Sequence, residues 1–348
     1  MTKERHYGID LARFLLMFMV CLLHTLGQGG ILASCAEGSV QYYIFWFLEI
    51  SSYCAVNGFA IISGYTAVER PQKYSKLINM WFQAFFYSFI VTVILALFGF
   101  AEGMGTEQYV RMALPLTHNM FWYFTAYFAL FLVTPLLHKV MELFDEKGSR
   151  KALLVLILVF SCVNFRHNAF ASGYSAMWVM ILYCVGALAK KGRLFERKKS
   201  YALILTFALC VILSWGGKVF FRIDWFVSYT SPTIVLCGLA LVILFLRFRP
   251  KGTVIRKLTP LLFGVYLFQL NYVIWTYILK GAFAFIADMN AALGILCVIG
   301  LSLAIFLSGL LVELIRIQLA KLLRIPVLCE KLATLIDQLL IKFSKLLE

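Results

Sequence analysis

His6-Tyr7-Gly8-Ile9-Asp10-Leu11-Ala12-Arg13-Phe14-Leu15-Leu16-Met17-Phe18-Met19-Val20-Cys21-Leu22-Leu23-His24 reads as a membrane-spanning helix that carries three groups lipid rejects. Those groups are Asp10, Arg13 and His24. At about 100° per residue, Arg13 and His24 fall within about 20° of each other around the axis, and Asp10 lies within about 60° of both. At ~1.5 Å per residue the stripe they form runs about 21 Å along the helix. Each ionisable residue inside a membrane helix costs ~2.5–3.5 kcal/mol on insertion scales. Three on one face therefore ask for a polar cavity, and a helix with such a face needs other helices around it.

The rest of the chain supplies them. Of 348 residues, 62% are hydrophobic and 14% charged, with a mean hydropathy of +0.87. Only helices or closed barrels satisfy their backbone polar groups in lipid. Long apolar runs exclude the barrel, whose strands would read as short alternating segments. The expected class is an all-α integral membrane protein. A cleaved signal peptide is not expected, because the first apolar run holds Asp10 and Arg13 and lacks a small-residue cleavage site. The nine cysteines are scattered singly with no Cys-x-x-Cys pair, so neither a disulfide framework nor a metal site is expected.

About ten spans can be drawn: 8–27, 42–68, 77–101, 119–138, 152–165, 173–189, 201–220, 226–246, 258–280 and 291–315. The fifth is short. The second is long enough to tilt or break, with Asn57-Gly58 and Ser63-Gly64 as the places to do so. With the N-terminus inside, all of the 32 basic residues fall on the inner side except Arg111, Arg166, Lys218, Arg222 and Lys280. That asymmetry puts both termini in the cytoplasm. It also accounts for the net charge of +15 without nucleic acid as a partner. Residues 1–317 read as one transmembrane domain. Residues 318–348 read as an amphipathic tail helix, with Leu328, Leu332, Leu335, Ile336, Leu339 and Phe343 at helical spacing. Its expected place is the inner membrane surface; docking on a second copy of the chain or on another partner is the alternative.

Arg13 stands near the inner end, where an arginine can snorkel to headgroups, and Asp10 is one turn away to neutralise it. His24 has no such explanation. It lies roughly 16 Å of helix beyond Arg13, and an unperturbed imidazole titrates near ~6.5, which suits a proton carrier.

Arg13, ten intervening residues and His24 resemble the basic-x10-His signature of the membrane acyltransferase-3 family of O-acyltransferases. Val56-Asn57-Gly58-Phe59-Ala60-Ile61-Ile62-Ser63-Gly64-Tyr65 is similar to that family's segment ending in Ser-Gly-Phe/Tyr. Phe121-Trp122-Tyr123-Phe124-Thr125-Ala126-Tyr127-Phe128-Ala129-Leu130, with Pro135, resembles its Trp-Tyr/Phe-x-x-Ala-Tyr segment. Phe263-Gly264-Val265-Tyr266-Leu267-Phe268 resembles its Gly-x-Tyr-Leu helix. The likeness covers residues 6 to about 315. One departure is Gln269, where many members carry histidine.

The resemblance implies transfer of an acyl group, by default acetyl from cytosolic acetyl-CoA, to a hydroxyl of a polysaccharide or lipid-linked sugar of the cell envelope. It implies a multi-pass protein of a bacterial-type plasma membrane, in contact with the bilayer and with a glycan acceptor. The chain is expected to work alone, or with a second copy or a polysaccharide-synthesis protein as partner. Arg13, Arg70, Lys73 and Lys76 are then the candidates for the donor's phosphates, Arg70 foremost because a guanidinium grips phosphate bidentately. His24 is the candidate base or transient acyl carrier, with Asp10 orienting Arg13. Glu49, His118, Asn119, Trp122, Tyr123 and Tyr127 are candidates on the acceptor side. Ten helices with an ionisable track also describe a transporter of a small anionic or sugar-like solute. Against that reading, the two halves of the sequence contain no matching pair of broken helices.

Overall fold

The computed structural model describes residues 6–67, 73–194, 199–248 and 253–347. Among them every regular element is helical. In chain order these are α1 (Tyr7–Leu26), α2 (Ile31–Ser34), α3 (Val40–Tyr53), α4 (Ala55–Ala67), α5 (Tyr74–Phe85) and α6 (Val91–Leu97). There follow α7 (Thr106–Ala113), α8 (Trp122–Glu142), α9 (Glu146–His167), α10 (Ala176–Lys191) and α11 (Ser200–Val219). The last are α12 (Pro232–Phe245), α13 (Thr253–Leu258), α14 (Leu262–Gln269), α15 (Ala291–Leu322) and α16 (Ile325–Leu347).

Eight helical stretches are long and apolar enough to cross a membrane, and a ninth forms if the bent pair Val254–Gln269 and Ile274–Asp288 counts as one. Large apolar side chains stand exposed along α11 and α15, among them Ile212, Leu213, Leu296 and Leu311. Only lipid can cover such a belt, so the chain is an integral membrane protein. The span expected at 173–189 forms α10, whose 16 residues reach about 24 Å. Trp178, Ile181, Leu182, Val185 and Leu188 are all buried on it, so neighbouring helices rather than lipid surround it. The fifth span is longer than expected. Asp145 caps α9 by accepting the Gly148 N–H at 2.6 Å, and Glu146 pairs with Arg150 at 2.7 Å. These charged first turns hide the helix from a hydropathy reading.

The first helix is the hub. α1 packs against α3, α4, α12, α14 and α15, and Ala12, Leu16, Met17, Val20 and Cys21 are buried along it. A helix buried on most of its circumference is a core element.

The second span breaks, but at Cys54, between α3 and α4, and not at the glycines. Gly58 and Gly64 serve close packing instead. A Cβ at Gly58 would meet Leu16 at 2.8 Å, and one at Gly64 would sit 1.8 Å from the Tyr183 carbonyl oxygen of α10. Gly186 reciprocates, its Cβ position lying 2.0 Å from the Ile61 carbonyl oxygen. Two backbones meet here, as small residues allow in membrane bundles. Gly64→Val is expected to cost about 1–3 kcal/mol by forcing α4 from α10. A lowered thermal-unfolding midpoint in detergent would register it; an unchanged midpoint would contradict this packing.

The penultimate span bends by 67°. Asn271 fills the break. Its Oδ1 accepts the Val273 and Ile274 N–H groups at 3.0 and 3.2 Å, and its Nδ2 donates to the Tyr87 carbonyl at 2.7 Å and to Thr92 Oγ1 at 2.8 Å. Backbone freed at the break is thereby satisfied inside the protein, as a membrane requires.

The boundary drawn at 317/318 falls inside α15. The chain turns at Leu323–Arg324, where Arg324 has φ +54°. The tail helix α16 then packs against α5 of the same chain, burying Cys329 and Ala333. The face that its sequence offered to the membrane surface is partly an intramolecular contact.

Candidate active site

Arg13 and His24 line one cavity of about 480 Å³. They project from the same face of α1, as the eleven-residue spacing dictates. Arg13 Nη1 lies 3.3 Å from Asp10 Oδ1. The Asp10 side chain is only 2% exposed and does not reach the cavity wall, whereas that of Arg13 is 30% exposed and does. Asp10 thus holds the guanidinium from behind, and Arg13 borders the cavity.

At the other end, His24 Nδ1 lies 2.9 Å from Gln269 Oε1. An amide oxygen only accepts, so Nδ1 carries the proton and donates it. The Nε2 atom is left with its lone pair. The ring meets Trp275 edge-on with centroids 4.8 Å apart. Gln269 is fully buried at the C-terminal end of α14, and its Nε2 contacts Met17 Sδ at 3.9 Å. Gln269 and Trp275, which both touch His24, flank the 67° bend that follows α14. The position at which the sequence departs from its apparent relatives is therefore the direct partner of His24.

Of the residues expected on the acceptor side, Glu49, Trp122 and Tyr123 line the cavity. His118 and Asn119 do not; they are exposed in the turn before α8. Tyr127 is half-buried and stands outside the lining. They fail to join because residues 118 and 119 precede the helix that aims Trp122 and Tyr123 inward, while Tyr127 is a turn further on. Of the donor candidates, Lys73 and Lys76 are exposed at the start of α5 and away from the cavity wall. Arg70 lies outside the described residues.

Sequence reasoning missed several wall residues. Tyr53, Tyr174 and Tyr229 gather with Trp122: Tyr53 stacks on Tyr229 at 4.7 Å, and Trp122 meets Tyr174 at 4.8 Å. Tyr266 accepts the Tyr123 N–H at 3.1 Å and so fixes the start of α8 against α14. Tyr266 had a signal in the Gly-x-Tyr-Leu segment. The other three tyrosines had none, since each is an isolated aromatic in or beside an apolar run.

A family model described as an acyltransferase domain matches residues 6–311 of the chain. No curated protein matches it, and no solved structure does.

Proposed function

The chain belongs to the acyltransferase-3 family, and from that premise we propose that it moves an acetyl group from cytosolic acetyl-CoA to a hydroxyl of an envelope polysaccharide or lipid-linked sugar, in a bacterial plasma membrane. That it is a multi-pass membrane acyltransferase follows from the family and the apolar helices; the donor, acyl group and acceptor are the proposal. The observation that carries it is that Arg13 and His24 line one cavity, roughly 16 Å apart along α1, with His24 Nδ1 turned to Gln269 Oε1. A polyanionic donor needs a cation where its phosphates dock, and a hydroxyl needs a base where it attacks.

In the direct route, His24 Nε2 takes the acceptor's proton as the hydroxyl oxygen bonds to the thioester carbonyl carbon. The carbon–sulfur bond then breaks, and the imidazolium returns the proton to the leaving thiolate. In the two-step route Nε2 itself bonds to the acyl carbon and displaces the thiolate; the hydroxyl oxygen then takes the acyl carbon from Nε2, and the hydroxyl's proton passes to the thiolate. Both need the tautomer that Gln269 holds.

The test uses purified protein in lipid nanodiscs with radiolabelled acetyl-CoA and envelope glycan. Transfer of label to glycan with release of free thiol supports the reading. Absence of transfer, together with solute flux in proteoliposomes, would return the carrier alternative. Arg13→Gln, combined with Asp10→Asn so that no buried carboxylate is orphaned, is expected to raise KM for acetyl-CoA. Loss of one charge-assisted contact of ~1.5–3 kcal/mol corresponds to roughly 10–100-fold, and kcat should change far less. Steady-state kinetics check this; an unchanged KM would remove Arg13 from donor binding.

A further inference from the structure

Glu49 is 7% exposed, its Oε2 is buried with no hydrogen-bond partner, and it lines the same cavity as His24. It is not among the ion-paired carboxylates of the described residues. A buried carboxyl oxygen without a hydrogen-bond partner costs stability unless something else completes it. What surrounds this one is aromatic. Tyr53 lies one turn after Glu49 on α3 and stacks on Tyr229. Trp122 faces that ring nearly parallel, at 6.2 Å and 23°, and Tyr174 closes the group 5.0 Å from Tyr229.

The four rings come from elements that otherwise do not adjoin in sequence: α3, the first residue of α8, the segment before α10 and the segment before α12. Trp122, Tyr174 and Tyr229 all stand at or just before helix beginnings, and they line the same cavity as His24. Ring faces carry negative quadrupole potential and attract cations. A carboxyl group among such faces adds an oxygen acceptor that an ammonium can hydrogen-bond and pair with. A neutral sugar would need only the ring faces and hydroxyl partners; the unpartnered carboxyl oxygen of Glu49 is the feature left over.

We propose that this box of rings with Glu49 binds a protonated amino group on the acceptor, so that the acceptor is an amino sugar with a free amine near the acylated hydroxyl. The inference rests on the acyltransferase reading for the hydroxyl, and adds the amine. The ammonium would sit in the cavity against the edge of the ring cluster and pair with Glu49, which holds the neighbouring hydroxyl toward His24 Nε2.

Calorimetric titration of the nanodisc-embedded protein tests it without acyl-CoA, so the result stands apart from whether acetyl transfer occurs. The probes are a glucosamine tetrasaccharide with free amines and its fully N-acetylated counterpart. The free-amine form is expected to bind about tenfold or more tightly, as a desolvated cation–π and ion-pair site implies. Glu49→Gln, nearly isosteric and removing the group an ammonium can pair with, is expected to bring the two affinities within about twofold; its thermal-unfolding midpoint reports whether it is folded. Equal affinity of the two forms for the native protein, preference for the N-acetylated form, no binding of either, or a preference that survives in folded Glu49→Gln would each overturn the proposal. The comparison on the native chain decides even if the variant fails to fold.

Discussion

His24→Ala is expected to lower kcat for acyl transfer about 10²–10⁴-fold, the range a positioned general base contributes. The reasoning begins with hydrogen bonding. Nδ1 is committed to Gln269 at 2.9 Å, so the ring has one working atom, Nε2. That atom belongs to a side chain lining the 480 Å³ cavity. Alanine removes it and leaves only binding and orientation to accelerate the reaction. KM for the acyl donor should move little, because Arg13 lies roughly 16 Å further along the helix. The fold should survive, since the side chain lost is half-buried and its contacts among the described residues are with Trp275 and Gln269. The measurement is label transfer from acetyl-CoA under saturating donor, with the thermal midpoint as the control for folding. Normal transfer by folded His24→Ala would end the catalytic assignment. A rapid quench of the native protein without acceptor separates the two routes: acid-labile label on the chain favours the acyl-histidine, and its absence favours direct attack.

How far such a site is legible in the sequence depends on the range of the interaction. The stripe on α1 is local. Periodicity alone puts Arg13 and His24 on one face, and their charge in an apolar run makes the face conspicuous. The spans are local too, because hydropathy over about 20 residues reports a bilayer. Where charge dilutes the apolar signal, as in the first turns of α9, the reading shortens the helix. Where the meaning of a residue depends on a distant backbone, pattern fails. Gly64 reads as a weak point of its own helix, yet it is set by the Tyr183 carbonyl of α10. The break at Cys54 has no glycine or proline to announce it. Tyr53 and Tyr229 stack across 176 residues of chain, by their numbering, and nothing in either neighbourhood foretells it.

Gln269 is the clearest case of a residue that sequence comparison flags and only geometry explains, and its replacement has the second large expected effect. Gln269→Leu keeps the volume of the side chain and removes the acceptor of the His24 Nδ1–H. A buried N–H left unpaired is unfavourable, so the proton moves toward Nε2, and the tautomer that remains cannot take a proton from a hydroxyl there. The imidazolium formed during transfer also loses its hydrogen bond. A hydrogen bond to a charged group is worth ~1.5–3 kcal/mol, so kcat should fall roughly 10–100-fold. Gln269 touches no reacting atom; it is a positioning residue, and a merely structural role would produce a different pattern. Gln269→Glu restores an oxygen acceptor at the same reach and should recover most of the rate, whereas a packing defect would not be cured by a charge. Nitrogen-15 NMR of labelled histidine reads the tautomer directly. The native protein should show the proton on Nδ1 of His24, and Gln269→Leu should shift it to Nε2. An unchanged tautomer with an unchanged rate would mean that the bend after α14 serves the fold and leaves His24 to arrange itself.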